Sequence, residues 1–132
     1  MAASFARSLP ADEAALPDLI EAIEAWLETR DVPPAEIARL MIAFDELLSN
    51  ILHHGGGTID IAVGIEDGTL SATIVDDGPR FDPLSVPDPD TSLDIDERPV
   101  GGLGIHLVRE MMDEVRYSHG EGRNKLTFRK TF

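Results

Sequence analysis

The sequence predicts an α+β fold, a two-layer sandwich with helices on one side of a sheet whose strands are joined largely by hairpins. Three observations lead there. Between Ile37 and Gly55 apolar residues return every three or four positions (Ile37, Leu40, Met41, Phe44, Leu47, Leu48, Ile51, Leu52), the period of one helix face. From Thr58 to Val75 the period changes to two. Ile59, Ile61, Val63 and Ile65 share one side of a strand, and Asp67-Gly68 sits at the turn before the return strand. A helical stretch from Ile105 to Met112 and a second pair of strand-like segments then complete the order.

Each element has its own warrant. Ser4 to Leu9 alternates polar and apolar residues and predicts an edge strand closed by Pro10. Asp12 is placed to cap a helix whose stripe is Leu16, Leu19, Ile20, Ile23, Trp26 and Leu27, with Trp26 expected to pack in the core or a groove. Asp31-Val32-Pro33-Pro34 ends that helix and opens the one that runs to Gly55. Gly55-Gly56-Gly57 closes it. Strands are expected over Thr58–Ile65 and Leu70–Val75, the second leading into Asp76-Asp77-Gly78-Pro79. Residues 79–100 are rich in proline and acids and lack a period. A segment of this length inside a small domain reads as a functional lid. Gly102-Leu103-Gly104 opens the next helix. Glu114–His119 and Asn124–Phe132 are strands around the Gly120-Glu121-Gly122 turn, with Leu126 and Phe128 on one face. No repeat or second domain is visible, so residues 1–132 are expected to form one domain.

Composition excludes several classes. The formal net charge of −14, without a Lys/Arg cluster, argues against direct nucleic-acid binding and allows a partner with a basic surface. No cysteine is present, so disulfides and thiolate metal sites are excluded. Neither a secretory h-region nor an apolar run of the ~20 residues needed to span a membrane occurs, so a soluble cytoplasmic protein is expected.

Three segments carry chemistry. Glu46 and Asn50 are one helical turn apart on the face opposite the apolar stripe, shared with Arg39, His53 and His54. An amide oxygen there suits Mg²⁺ alongside phosphate oxygens and water. A glutamate one turn away could take a proton from an attacking hydroxyl. Asp76, at a strand end before Gly78, is either an ordinary turn aspartate or a carboxylate able to accept from an exocyclic amine such as that of adenine. Gly102-Leu103-Gly104 opens a helix whose free N–H groups could meet phosphate. It is neither a dinucleotide fingerprint nor a P-loop.

Taken together, FDELLSN resembles the N-box of the GHKL ATPase superfamily, VDDGPRFDP its first glycine box and GGLGIHLV its second. The combined pattern is similar to the anti-sigma-factor serine/threonine kinases of the RsbW type, over nearly the whole chain. The resemblance implies a GHKL (Bergerat) α/β sandwich with a mixed, mostly antiparallel sheet, ATP and Mg²⁺ as cofactors, and phosphoryl transfer to a serine of an anti-anti-sigma (STAS-type) partner. It also implies sequestration of a sigma factor or similar regulator, and a homodimer. Carried over by position, Glu46 is the general base and Asn50 the Mg²⁺ ligand. Asp76 reads the adenine amine above Gly78, Gly102, Leu103 and Gly104 lie beside the phosphates, and Thr127 lies near adenine.

The chain departs from the pattern at Arg80, where a glycine is usual, and in an acidic lid (Asp88, Asp90, Asp94, Asp96, Glu97). Arg98, the sole Lys or Arg between Arg80 and Arg109, is expected to swing toward the γ-phosphate. These departures motivate a competing expectation, a nucleotide-sensing binding module without kinase activity. A hydrolysing ATPase is a further alternative. The catalytic piece of a histidine kinase fits poorly, because the chain has no room for a phosphoacceptor hairpin.

Overall fold

The computed structural model describes residues 3–54, 57–85 and 102–132. In chain order the elements are β1 (Ala3–Pro10), α1 (Leu16–Glu28), α2 (Pro34–His53), β2 (Thr58–Glu66) and β3 (Thr69–Asp76). A short 3₁₀ turn (Pro83–Ser85), α3 (Gly102–Met111), β4 (Glu114–Gly120) and β5 (Arg123–Thr131) follow. The five strands form one sheet in the order β1-β2-β3-β5-β4. Every described pairing is antiparallel, so the sheet is not mixed as the resemblance implied. The crossover through α3 carries the chain past the slot that β5 fills, and this keeps β3 and β4, which run the same way, from being neighbours.

The two short turns explain the register. Asp67 and Gly68 both have positive φ (52° and 77°), the backbone of a two-residue hairpin whose twist matches its strands. Glu121 and Gly122 repeat it (55° and 74°) between β4 and β5. With these turns set, alternate residues of each strand face the helices. The buried sets are Ile59, Ile61 and Val63 on β2; Leu70, Ala72, Ile74 and Asp76 on β3; and Asn124, Leu126 and Phe128 on β5.

α1 contributes Leu19, Ile23 and Leu27 to the core, and α2 contributes Ile37, Leu40, Ala43, Phe44, Leu47 and Leu48. Ile105, Val108 and Met112 add the α3 side. Trp26 is partly buried and packs beside Phe5, ring centroids 5.8 Å apart. One start differs from expectation. The Asp12 carboxylate accepts from the Ala15 N–H at 2.8 Å, so it closes a turn ahead of α1, whose own N-cap is Ala15. Pro17 in the first turn lacks the N–H a side-chain cap would serve.

Phe44 is fully buried and meets Phe128 edge-on, centroids 5.1 Å apart at 63°. It joins α2 to the sheet. Phe44→Ala is expected to cost about 3–5 kcal/mol of stability, measured as a lowered urea midpoint. No helix among the described residues is long and apolar enough to cross a membrane.

Candidate functional site

β3 and β5 place Asp76 directly opposite Asn124. Both are inward by strand parity and nearly buried, 7% and 6% exposed. A polar pair in such a position must be hydrogen-bonded or it destabilises the fold. It is bonded thoroughly. Asp76 Oδ1 accepts from the Gly78 N–H (3.0 Å) and from Asn124 Nδ2 (3.0 Å). Asn124 Nδ2 also donates to the Pro79 carbonyl (2.9 Å) and, longer, to that of Gly78 (3.4 Å). Its Oδ1 accepts from the Tyr117 hydroxyl (2.6 Å) and the Phe81 N–H (3.1 Å). Among the described residues, Asp76 Oδ2 accepts no hydrogen bond.

This pair lies in the wall of a cavity between α2 and the sheet. Leu47, Ile51, Ile74 and Leu126 give it an apolar lining. Asn50 and His54 reach it from α2, and Pro79, Phe81 and Pro83 roof it. Apolar walls with a few convergent polar groups suit a flat heterocycle. It is a cleft rather than a closed void, with about 440 Å³ of unfilled space along these walls. On its wall the His54 and Phe81 rings stack, centroids 3.6 Å apart at 17°.

Glu46 does not line the cavity. One turn along α2 from Asn50, its carboxylate rests against the first turn of α3. A Cβ built on Gly104 would lie 2.0 Å from Glu46 Cδ, so a glycine is what allows this approach. Its pKa is raised above the usual glutamate value, first by burial and then by the charge of Asp45, with His53 pulling the other way. The polar face of α2 is thus covered in part by α3. Along that face the order is His54 and Asn50 at the cavity, then Glu46 at the start of α3, with roughly 6 Å of helix between Asn50 and Glu46.

The structure therefore brings together Asn50 and Asp76 at the cavity, with Gly78 bonded to the Asp76 carboxylate, and Glu46 and Gly104 at the α2–α3 contact. Gly102 and Leu103 form the first residues of α3. Arg98 and most of the lid lie outside the described residues. Arg80 is exposed and does not line the cavity. Thr127 is a correction. It pairs with Thr73 and Arg116 and has the opposite parity from Asn124, Leu126 and Phe128, so it sits on the sheet face away from the cavity. The residue of β5 that reaches the site is Asn124, which sequence reasoning missed. Its signal was available: a face holding Leu126 and Phe128 holds Asn124 and excludes Thr127. Tyr117 and Phe81 were missed as well, because their roles appear only through Asn124.

Known proteins agree with this architecture. Residues 9–130 match the histidine kinase-like ATPase domain. The chain is 30% identical over 99 residues to the serine-protein kinase RsbW of Bacillus thuringiensis (strain Al Hakam), and equally to that of Bacillus cereus (strain 03BB102). Each match takes in 69% of this chain and 62% of the relative, so the chain spans less than two thirds of these proteins. Among solved structures, the RsbU and RsbW domains of Rv1364c from Mycobacterium tuberculosis superpose with a TM-score of 0.71 at 19% identity, over 98% of this chain and 32% of that one. SiaB in the SiaB–SiaC complex from Pseudomonas aeruginosa gives 0.64 at 14% identity, over 97% and 89%. At such identities these two structures speak for the fold. With residues 9–130 matched and the fold shared, the chain belongs to the histidine kinase-like ATPase domain family.

Proposed function

We propose that this chain, as one ATPase-type domain over residues 1–132, is an ATP-dependent protein serine/threonine kinase of the anti-sigma-factor type. Its substrate would be a serine on an anti-anti-sigma (STAS-type) partner in the cytoplasm, and its second partner a sigma factor or similar regulator. The observation that carries the reading is the order of groups along α2. Asp76 and Asn50 share one cavity, and Glu46 lies one turn further on, against the start of α3. A nucleotide laid along this line has its base at Asp76, its phosphates at the Gly102–Gly104 turn, and its terminal phosphate near Glu46. The likeness to the RsbW kinases and to SiaB, solved in complex with SiaC, supports a protein substrate.

In this reading Glu46 takes the proton of the partner's serine hydroxyl as its oxygen bonds to the γ-phosphorus and the bond to the ADP oxygen breaks. The raised pKa suits a base, since basicity grows with it. Asp76 Oδ2 accepts from the adenine amine. The α3 N–H groups face the phosphates. Among the described residues no group of three or more His, Cys, Asp or Glu gathers to cage a metal, and the Asn50 side chain lies on the cavity wall. Such an amide fits Mg²⁺ that arrives with the nucleotide and keeps its waters. The ion would neutralise charge on the transferring phosphoryl group.

Calorimetric titration of ATP and ADP, with and without Mg²⁺, tests the site. Wild type is expected to bind in a Mg²⁺-dependent way and Asn50→Ala to lose that dependence. Incubation with ATP and a STAS-domain partner should then yield phosphoserine by mass. Nucleotide binding without phosphoprotein would favour the sensing module, and failure to bind nucleotide would end the kinase reading.

A further inference from the structure

The Asn124 amide is the best-connected side chain near the cavity. It has a donor end and an acceptor end, and each meets only partners of the matching kind. Nδ2 faces three acceptors: Asp76 Oδ1, the Gly78 carbonyl and the Pro79 carbonyl. Oδ1 faces two donors, the Tyr117 hydroxyl and the Phe81 N–H. Reversing the amide would set its carbonyl against a carboxylate and two carbonyls, so the orientation follows from the partners. The residue is buried, 6% exposed.

Two consequences follow for Asp76. Its Oδ1 is taken up by Gly78 and Asn124, which sets the carboxylate plane and leaves Oδ2 as the acceptor for a ligand. The loop that roofs the cavity is held by the same amide at Pro79 and Phe81, so roof and carboxylate keep one spacing.

We propose that Asn124, aligned by the Tyr117 hydroxyl, is the positioning residue that makes this cavity selective for a 6-amino purine over a 6-oxo purine. The proposal rests on the nucleotide reading of the cavity. A single fixed acceptor oxygen meets an exocyclic N–H well and repels a carbonyl oxygen in its place. A carboxylate free to rotate, or solvated through a widened roof, loses that discrimination.

The test is the ratio of affinities for ATP and inosine triphosphate, measured by titration on folded protein. Wild type is expected to favour ATP. Asn124→Ala should narrow the ratio by roughly tenfold or more, and Tyr117→Phe, which removes one hydroxyl, by about threefold. Asn124→Asp keeps the acceptor end but sets a carboxylate against Asp76, and should narrow the ratio at least as far as Asn124→Ala. Asp76→Asn is the control. If it collapses the ratio while the Asn124 and Tyr117 variants leave it at the wild-type value, the positioning role is wrong and the base site stands. If Asp76→Asn leaves the ratio unchanged too, or wild type binds neither nucleotide, the nucleotide reading fails and takes this proposal with it. Should Asn124→Ala not fold, by circular dichroism, Tyr117→Phe decides: an unchanged ratio overturns the proposal.

Discussion

Glu46→Gln is expected to lower phosphoryl transfer by roughly 10²–10⁴-fold while ATP still binds. Glutamine keeps the size of the side chain beside Gly104 but cannot accept the serine proton. The pKa direction adds a second signature. Burial and Asp45 hold Glu46 above its unfolded value of 4.5, so the fold favours the protonated acid. The sign follows from linkage. The fold carries no penalty from this group below 4.5, and it loses stability as pH rises through the raised value. Glu46→Gln should therefore melt higher than wild type near neutral pH, with the difference fading as pH falls toward 4.5. Transfer by wild type should fall in acid as Glu46 takes up its proton. Asp45→Asn should move that acid limb to lower pH, because it removes a charge that raises the pKa. A Glu46→Gln protein that no longer binds ATP would show instead that Glu46 is structural.

Gly104→Ala is the second large effect, and it is a matter of space. The added methyl would sit 2.0 Å from Glu46 Cδ and 2.3 Å from each carboxylate oxygen. Those atoms end a flexible side chain, so the helix survives and the carboxylate moves. A displacement of about 1 Å at a reacting group costs on the order of 10² in rate. Alanine also favours a helix over glycine by about 0.5–1 kcal/mol. The expected result is thus a turnover loss of on the order of 10²-fold without a lower melting temperature, by phosphoprotein assay and thermal scan on the same sample. Full turnover in Gly104→Ala would mean that the position of Glu46 against α3 is irrelevant to transfer.

Much of this fold was legible because its signals are local. The apolar stripe of α2 needs only helical period, and Asp67-Gly68 needs only its turn chemistry. Both stand in the structure close to where the pattern put them. Strand order was not legible in the same way. That β5 pairs with β3 depends on packing between residues such as Phe128 and Phe44, and no short window of sequence contains both. The site divides along the same line. Asn50 and Asp76 announce themselves by type and spacing, and both reach the cavity. Asn124 reads as a plain turn-proximal asparagine until the register sets it across from Asp76. Thr127 was carried over by position from the resemblance, and strand parity places it on the far face. The enclosure of Glu46 was equally hidden, since it depends on how α3 lies across α2.

The slot between β3 and β4 has a consequence for how the protein is made. Asp76 and Asn124 are 48 residues apart in the chain, and they meet only when the β4–β5 hairpin docks its second strand onto β3. During synthesis β1, α1, α2 and the β2–β3 hairpin emerge before β5, and the β3 edge stays open until it arrives. Until β5 arrives, the Asp76 carboxylate lacks one of its two donors and the cavity lacks a wall. Nucleotide would bind only chains that have finished this step, and by mass action would hold them there. A nucleotide bound there would add its stability only to completed molecules, and chains still short of β5 would keep a strand edge open to other strands.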